Sequence, residues 1–132
     1  MIEKPKVLSM VICDEVLEDK RTNKKSLIGL FNRVNTVQFP AKLARMHLYF
    51  SLTNCHGKYQ TTLQYGFLKG MKVLGQIHGQ ISCEDPNAIL ECDFELVDVV
   101  FAQEGFYNFE FLIEGKSLIE RKFFVGAISS NP

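Results

Sequence analysis

The chain has 132 residues and a mass of 15.1 kDa, and its fifteen basic and fifteen acidic residues give a formal net charge of zero. A chain of this length fits one domain, here residues 1–132, and buries roughly two thirds of the surface that its unfolded form exposes. Zero net charge excludes a whole-molecule field that would gather nucleic acid or an anionic membrane, so we expect neither as a partner.

The first predicted strand is Lys6–Cys13, whose apolar side chains occupy both alternating positions and favour an inner strand covered on both faces. The next segment, Asp14–Lys25, has eight charged residues among its twelve positions and predicts a solvated loop, with room for a short helical turn. Ser26–Val34 is the second predicted strand, in which Gly29 marks a bulge or a close approach by a neighbour. The apolar pattern continues to Pro40, which ends it or places it at a sheet edge.

A period of two then predicts a hairpin of residues 46–53 and 59–67, joined by a turn at residues 54–58. Its inward residues are Met46, Leu48, Phe50, Leu52, Tyr59, Thr61, Leu63, Tyr65 and Phe67. Four large apolar side chains on the first strand and five mostly apolar ones on the second therefore face the core.

Two further strands follow a turn at residues 68–72. The first, residues 73–83, has Gly75 and Gly79 on its inward side, where they leave room for large residues of the facing sheet. Its inward side also carries Ile77 and Ile81, and its outward side carries Gln76, His78, Gln80 and Ser82. In the second strand, inward Leu90, Cys92, Phe94 and Leu96 alternate with Glu91, Asp93 and Glu95. A looser apolar passage follows at residues 97–102.

The clearest hairpin is Gly105–Val125, whose first strand points Tyr107, Phe109, Phe111 and Ile113 inward. A three-residue turn at residues 114–116 places Ile119 opposite Phe111, and it buries fewer charges than a two-residue turn does. This register leaves Arg121 on the inner side, either at a sheet end where it reaches water or at a bulge that turns it outward.

About eight strands with little amphipathic helix between them predict an all-β fold, an antiparallel β-sandwich with Greek-key or jelly-roll connections. A closed barrel is the alternative. The sequence shows no internal repeat and no second domain.

Some of these segments carry a resemblance: MVICD at Met10–Asp14, KSLIGLF at Lys25–Phe31, Phe39 with Pro40, and Gly105, Tyr107 and Phe109 in the final hairpin. Together they resemble a family of bacterial and phage-associated proteins of unknown function. The resemblance covers most of the chain. It implies a small β-sandwich domain and brings no activity, cofactor or partner with it.

The sequence also predicts the cellular location of the protein and the redox state of its cysteines. No stretch reaches the eighteen or more apolar residues of a membrane span, and the start of the chain shows no small-residue cleavage site, so we expect a cytoplasmic protein. The cysteines, Cys13, Cys55, Cys83 and Cys92, are too scattered for a CxxC pair. We expect free thiols, since a core of this size needs no disulfide. Of the possible disulfides, Cys83 with Cys92 is the one that the sequence favours most.

Two charged groups offer binding chemistry. The acidic residues Asp14, Glu15, Glu18 and Asp19 carry the hard oxygen ligands that calcium prefers, but they lack EF-hand spacing. The basic residues Lys20, Arg21, Lys24 and Lys25 can contact phosphates, but no aromatic residue lies among them for base stacking. A solvated, charge-balanced loop is the favoured interpretation of both groups.

Reactive side chains are sparse. Cys55 beside His56 has the composition of a thiol–imidazole pair, but neighbours on a strand point to opposite faces, and a polar turn is the favoured interpretation. His47 and His78 lie on outward faces, where a solvated histidine is expected, and zinc would need further ligands. The sequence therefore predicts no catalytic residue, no metal ligand and no cofactor.

A non-enzymatic binding module is the first functional hypothesis, acting as a homo-oligomer or as an adaptor to another protein. Its contact residues would be the outward apolar side chains Tyr49, Phe106, Leu112 and Phe124. The alternative is a sandwich that binds a small ligand or a carbohydrate through Tyr49, Tyr59, Tyr65 or Tyr107. A hydrolase using Cys55 and His56 is third.

Overall fold

A computed structural model describes residues 4–68 and 72–128. Within those ranges the chain forms nine strands and no helix. The strands are β1 (Lys6–Glu18), β2 (Lys25–Leu30), β3 (Arg33–Thr36), β4 (Ala41–Thr53), β5 (Gly57–Phe67), β6 (Lys72–Cys83), β7 (Leu90–Phe101), β8 (Gly105–Ile113) and β9 (Lys116–Ala127).

Two sheets pack face to face, so the predicted β-sandwich is confirmed and neither sheet closes into a barrel. One sheet has the strand order β2-β1-β4-β7, and the other has the order β3-β9-β8-β5-β6. The described residues contain no helix with the length and apolarity to cross a membrane. The cytoplasmic location stays a prediction.

Aromatic residues fill the space between the sheets. The ring of Phe50 on β4 stacks on Phe111 of β8 with centroids 4.5 Å apart, which joins the two layers. Phe109 stacks on Phe123 at 5.0 Å within the second sheet. Each such pair contributes about 0.5–1.5 kcal/mol beyond the area that it buries. The buried faces of β4 and β8 are those that the period of two predicts.

The β8–β9 hairpin has the predicted register, but it achieves it with a different turn. Ile113 pairs with Lys116, so the turn holds two residues, Glu114 and Gly115, with φ of 50° and 77°. Positive φ at both positions is the type I′ geometry, whose twist matches that of the strands. A bulge in β9 next to the turn then restores Ile119 opposite Phe111.

Arg121 stays on the inner side of β9 and is half-buried. Its Nη1 donates to the carbonyl of Met10 on β1 at 3.2 Å, and its Nη2 donates to Oδ1 of Asn32. The Met10 carbonyl lies beyond the end of β2, because Leu30 at that end pairs with Cys13. The guanidinium therefore satisfies a β1 carbonyl on the side that β2 does not reach, which matches the predicted placement of Arg121 at the end of a sheet.

The predicted hairpin of residues 46–67 is wrong, because its two strands belong to different sheets. β4 pairs with β1 and β7, and β5 pairs with β6 and β8. The predicted inward faces are correct, since Leu48 and Leu63 are both buried in the common core. Alternation shows which face is buried but not whether the partner strand lies alongside or across the core.

The segment of residues 14–34 also differs from its prediction. β1 continues to Glu18, so residues 14–18 are strand rather than loop, and they pair with β2. The predicted strand Ser26–Val34 is divided at residues 31–32, since β2 and β3 lie in different sheets. β3 runs parallel to β9, which is an exception to the predicted antiparallel arrangement.

Gly29 confirms a close approach, because an added Cβ would lie 2.3 Å from Oδ2 of Asp14. The space beside Gly75 and Gly79 is filled differently from the prediction. It is occupied by Tyr65 and Thr61 of the neighbouring strand β5, not by residues of the facing sheet. The predicted turn of residues 68–72 lies partly outside the described residues.

The apolar residues on both sides of β1 have two origins: a bulge near the beginning of the strand, and burial of both faces at Ile12 and Cys13, which are 1% and 0% exposed. Val7 pairs with Leu52 and Ser9 with Ser51, so Leu8 is an extra residue. Leu8 is exposed, whereas Val7 packs against the core. The inner position of β1 in its sheet is confirmed.

Candidate functional site

Among the described residues, each sheet has at one end a long strand with one unpaired edge. β6 and β7 have twelve residues each and lie at the ends of their sheets. Residues of both strands line one cleft between the sheets, so the two edges lie on the same side of the sandwich. An unpaired edge presents backbone N–H and C=O groups that can pair with another strand.

The register shows which backbone groups of β6 face outward. The N–H of Gln60 donates to Oε1 of Glu114 at 2.8 Å, and its carbonyl accepts from the N–H of Glu114 at 2.9 Å, so Gln60 faces β8. Gln60 pairs with Gln80, whose backbone groups therefore point away from β5. By alternation the same holds for Gln76 and His78. These three residues, with their N–H and C=O groups, are called the free edge of β6.

The same argument applies to β7. The N–H of Phe31 donates to the carbonyl of Ile12 at 3.1 Å, so Ile12 faces β2. The register of β1 with β4 and of β4 with β7 then determines which residues of β7 have backbone groups that face β4. The backbone groups of Glu91, Asp93 and Glu95 point away from β4. The free edge of β7 therefore carries a carboxylate at each of these positions, whereas the free edge of β6 carries none.

A polar cluster on the outer face of the four-stranded sheet centres on His47. Nδ1 of His47 lies 3.0 Å from Oδ1 of Asp93, and Nε2 lies 3.6 Å from Oε2 of Glu95. His47 is 5% exposed, so the predicted solvated histidine is wrong at this position. Both ring nitrogens face carboxylates, which leaves neither directed at a nucleophile. His78, by contrast, is exposed as predicted, and its Nδ1 lies 3.1 Å from Oγ1 of Thr62.

The cover over His47 comes from residues 14–30, here called the arm. Lys25 pairs with Glu18 at the end of the arm, whereas Glu91 pairs with Ser51 and hence aligns with Ser9. In a flat sheet the nine residues from Ser9 to Glu18 would separate Lys25 from Glu91 by about 30 Å. The observed distance from Lys25 Nζ to Glu91 Oε1 is 3.7 Å. The arm therefore folds back across the outer face of β4 and β7.

The thiols of Cys13, Cys55 and Cys92 are not activated as nucleophiles. Cys13 lies opposite His47 but is 0% exposed, and burial, then the negative charge of Asp93, raises its pKa. Burial also raises the pKa of Cys55 and of Cys92. A thiol whose pKa is raised holds its proton at neutral pH and reacts slowly. All four cysteines are free.

Cys55 and His56 do not form a pair. Cys55 is buried, and its Sγ lies 3.8 Å from the carbonyl of Thr53. His56 is exposed, and its backbone N–H donates to the hydroxyl of Tyr59 at 3.0 Å. The turn is not wholly polar as predicted, because Cys55 packs in the hydrophobic core.

The charged residues of the arm pair with one another and with the sheet. Oε1 of Glu15 lies 3.8 Å from Nη2 of Arg45, and Nζ of Lys25 lies 3.6 Å from Oε2 of Glu18. Arg21 lies 3.9 Å from Asp19. Over residues 4–68 and 72–128, no group of three or more His, Cys, Asp or Glu side chains is arranged to hold a metal ion.

The outward aromatic residues do not form one patch. Phe106 and Phe124 contact each other on the outer face of the five-stranded sheet, with centroids 4.9 Å apart. Tyr49 lies on the other sheet, where its hydroxyl donates to Glu91. Tyr107 is buried, and its hydroxyl donates to the carbonyl of Gln103 at 2.6 Å. The four tyrosines therefore offer no common binding face.

The cleft between β6 and β7 has a volume of about 260 Å³. Its apolar lining includes Leu63, Tyr65, Ile77, Leu96 and Phe109, and its polar lining consists of Gln76, Glu95 and Asp98. This volume lies just below the roughly 300–1,000 Å³ that is usual for small-molecule sites.

The sequence of residues 8–126 matches the model of a family described as a family of unknown function, DUF6941. The matched range includes every residue on which the sequence resemblance rests. A comparison with curated proteins found no match. A bacterial or phage origin stays a prediction.

Proposed function

The chain belongs to DUF6941, a family of unknown function, and we propose that it is a non-enzymatic protein-binding module. In this proposal, the module takes an extended segment of another polypeptide along the free edge of β6. The observation that carries the proposal is this edge, where Gln76, His78 and Gln80 present unpaired backbone groups in the middle of a twelve-residue strand.

The side chains along β6 favour strand addition. The strand has no charged residue after Lys72, and from Gln76 onward its outward side chains are amides, a histidine and a serine. Proteins that prevent pairing at a long edge place charges, prolines or bulges there. In β6 the bulge lies at the beginning, next to Val73, and the rest of the strand is regular. Main-chain hydrogen bonds from such an edge supply affinity, and the alternate side chains supply selectivity.

Backbone hydrogen exchange tests the proposal. The amides of Ile77 and Gly79 face β5 and exchange slowly in any state of the folded protein. We expect the amides of His78 and Gln80 to exchange rapidly in the dilute protein and to become protected when a partner strand binds. The measurement is made at high protein concentration and again with proteins retained from a lysate. Rapid exchange of both amides under all of these conditions would contradict the proposal.

A small apolar ligand in the cleft is the second candidate function, because half-buried Ile77 and Tyr65 line a space that opens between the two sheet edges. We expect a ligand from a thermal-shift screen to shift the amide resonances of Ile77 and Leu96 and to leave those of Gly115 unchanged. Hits whose shifts spread evenly over the molecule would argue against this site.

A further inference from the structure

We propose that the strand received by the free edge of β6 is β6 of a second copy of this chain, paired antiparallel about a two-fold axis at His78. This inference rests on the proposed function and names its partner. A two-fold axis at His78 joins the two five-stranded sheets into one continuous sheet of ten strands.

The backbone geometry permits a symmetric pair at His78. Its N–H and C=O both point out of the edge, as do those of Gln76 and Gln80. In an antiparallel pair centred on His78, each copy's Gln76 lies opposite Gln80 of the second copy. All of these are hydrogen-bonding positions. The ladder therefore closes on itself without a bulge.

The inward side chains of β6 complement each other in this register. Ile77 of one copy lies opposite Gly79 of the other, and Ile81 lies opposite Gly75. Each large side chain thus meets a residue without a Cβ, which suits cross-strand packing. A register centred one residue earlier, on Ile77, instead sets glycine opposite glycine and isoleucine opposite isoleucine. Both isoleucines are only half-buried in the single chain, so they gain cover from a second copy.

Charge distinguishes β6 from the other long edge. Self-pairing of β7 would bring carboxylates against carboxylates at Glu91, Asp93 and Glu95, and like charges directly opposite are destabilising. Self-pairing of β6 opposes no Asp, Glu, Lys or Arg side chains over residues 73–83. Of the two long edges, β6 is thus suited to a second copy and β7 carries charges that oppose one.

The first test compares two proline variants by sedimentation over a hundredfold concentration range. His78→Pro removes an N–H from the free edge of β6 and leaves the β5 hydrogen bonds intact, since proline is tolerated at an edge position. Glu95→Pro removes an N–H from the middle of the free edge of β7, together with the carboxylate that lies 3.6 Å from Nε2 of His47. We expect the wild-type protein and Glu95→Pro to be dimers of twice 15.1 kDa and His78→Pro to be a monomer with folded circular dichroism.

A second pair of variants tests the register without a proline. Gln76→Glu with Gln80→Glu opposes two pairs of like charges across the axis, and we expect it to raise the dissociation constant at least about tenfold. Gln76→Lys with Gln80→Glu opposes two pairs of unlike charges, and we expect it to retain the dimer. Equal affinity of the two double variants would overturn the register.

The outcomes separate this inference from the proposed function. A wild-type protein that is monomeric at every concentration, but whose His78 and Gln80 amides are protected by a protein from the lysate, overturns the second copy as the partner and retains strand addition. A monomer with no protection of these amides overturns both. A dimer that survives in folded His78→Pro places the interface elsewhere and overturns the inference.

Discussion

Tyr49 shows how a single outward residue becomes coupled to the arm. Its hydroxyl donates to Oε2 of Glu91, whose other carboxylate oxygen lies 3.7 Å from Nζ of Lys25. Burial, followed by the hydrogen bond and the negative charge of Glu91, raises the pKa of Tyr49 to about 12. The phenol therefore stays protonated in the folded protein at pH values where an unfolded tyrosine ionises.

The pH dependence of stability follows from this pKa. An unfolded tyrosine titrates near pH ~10. Because the folded pKa is higher, the contribution of Tyr49 is fully present below about pH 10 and is lost as the pH rises through about 12. We expect the free energy of unfolding to fall less steeply over this interval in Tyr49→Phe than in the wild-type protein. An ultraviolet titration checks the assignment. The titration curve of the wild-type protein should contain one tyrosine with a high pKa that is missing from the curve of Tyr49→Phe. A difference at the ordinary value would contradict it.

Among the elements, the β8–β9 turn requires a left-handed backbone at both of its residues, Glu114 and Gly115. Gly115 has φ of 77°, and an added Cβ there would meet nothing within 4 Å. The cost of Gly115→Ala is therefore conformational, and we expect a loss of about 1 kcal/mol in the free energy of unfolding. Gly115→Asn should cost less, because asparagine enters the left-handed region more readily. Denaturant titration measures both variants, and equal losses would argue against a conformational origin.

The arm is the second element with a separable role, because it covers Cys13 and His47. Its end is held by Lys25, which contacts Glu18 and Glu91. Such ion pairs each contribute up to about 1 kcal/mol, so we expect Lys25→Gln to raise the population of the open arm by up to about fivefold. The rate of alkylation of Cys13 measures this population.

Two controls give that experiment its meaning. Cys55 is also buried but belongs to the core between the two sheets, whereas Cys13 does not. Equal acceleration at Cys55 and Cys13 would indicate global loosening rather than movement of the arm. The neighbouring substitution Lys24→Gln removes the same charge from an exposed side chain and should leave the rate at Cys13 unchanged.

Strand pairing was predicted correctly for β8 with β9 and wrongly for β4 with β5, and the difference has a physical reason. In β8 and β9 a tight turn forces the strands to lie side by side, so the predicted register is correct. Between β4 and β5 the alternation is equally clear, but the chain crosses from one layer to the other. Residues on facing sheets and residues on adjacent strands have the same period of two. Pairing therefore needs the turn geometry as well as the pattern.

The candidate site was less predictable than the core. The outward residues of β6 are correctly predicted. The position of β6 at the edge was not predictable from the pattern, because an inner strand with one solvent-exposed face shows the same alternation as an edge strand. A signal was present in the absence of charge after Lys72. The burial of His47 had no local signal, because its cover comes from residues 14–30, where the charge density indicates a solvated loop.

At the scale of the whole molecule, zero net charge conceals an uneven distribution. The side of the sandwich that holds both free edges has a strand with no carboxylate, β6, in one sheet and three carboxylates on β7 in the other. Pairing through β6 brings the β7 edges of two copies to the same side of the dimer. The carboxylate rows then repel each other across the axis, and this repulsion limits the affinity of the dimer.

This arrangement predicts a dependence on salt that is opposite to that of an interface held by ion pairs. Added salt screens the repulsion between the β7 carboxylates, whereas the hydrogen bonds and isoleucine contacts of β6 have no charge to screen. We expect the dissociation constant of the dimer to be lower at physiological than at low ionic strength. At low ionic strength we also expect it to be lower in Glu95→Gln than in the wild-type protein. Glu120→Gln makes the same charge change on β9 and should leave it unchanged. A dimer that weakens with salt would contradict a neutral β6 interface, because it would require attractive charge pairs between the two copies.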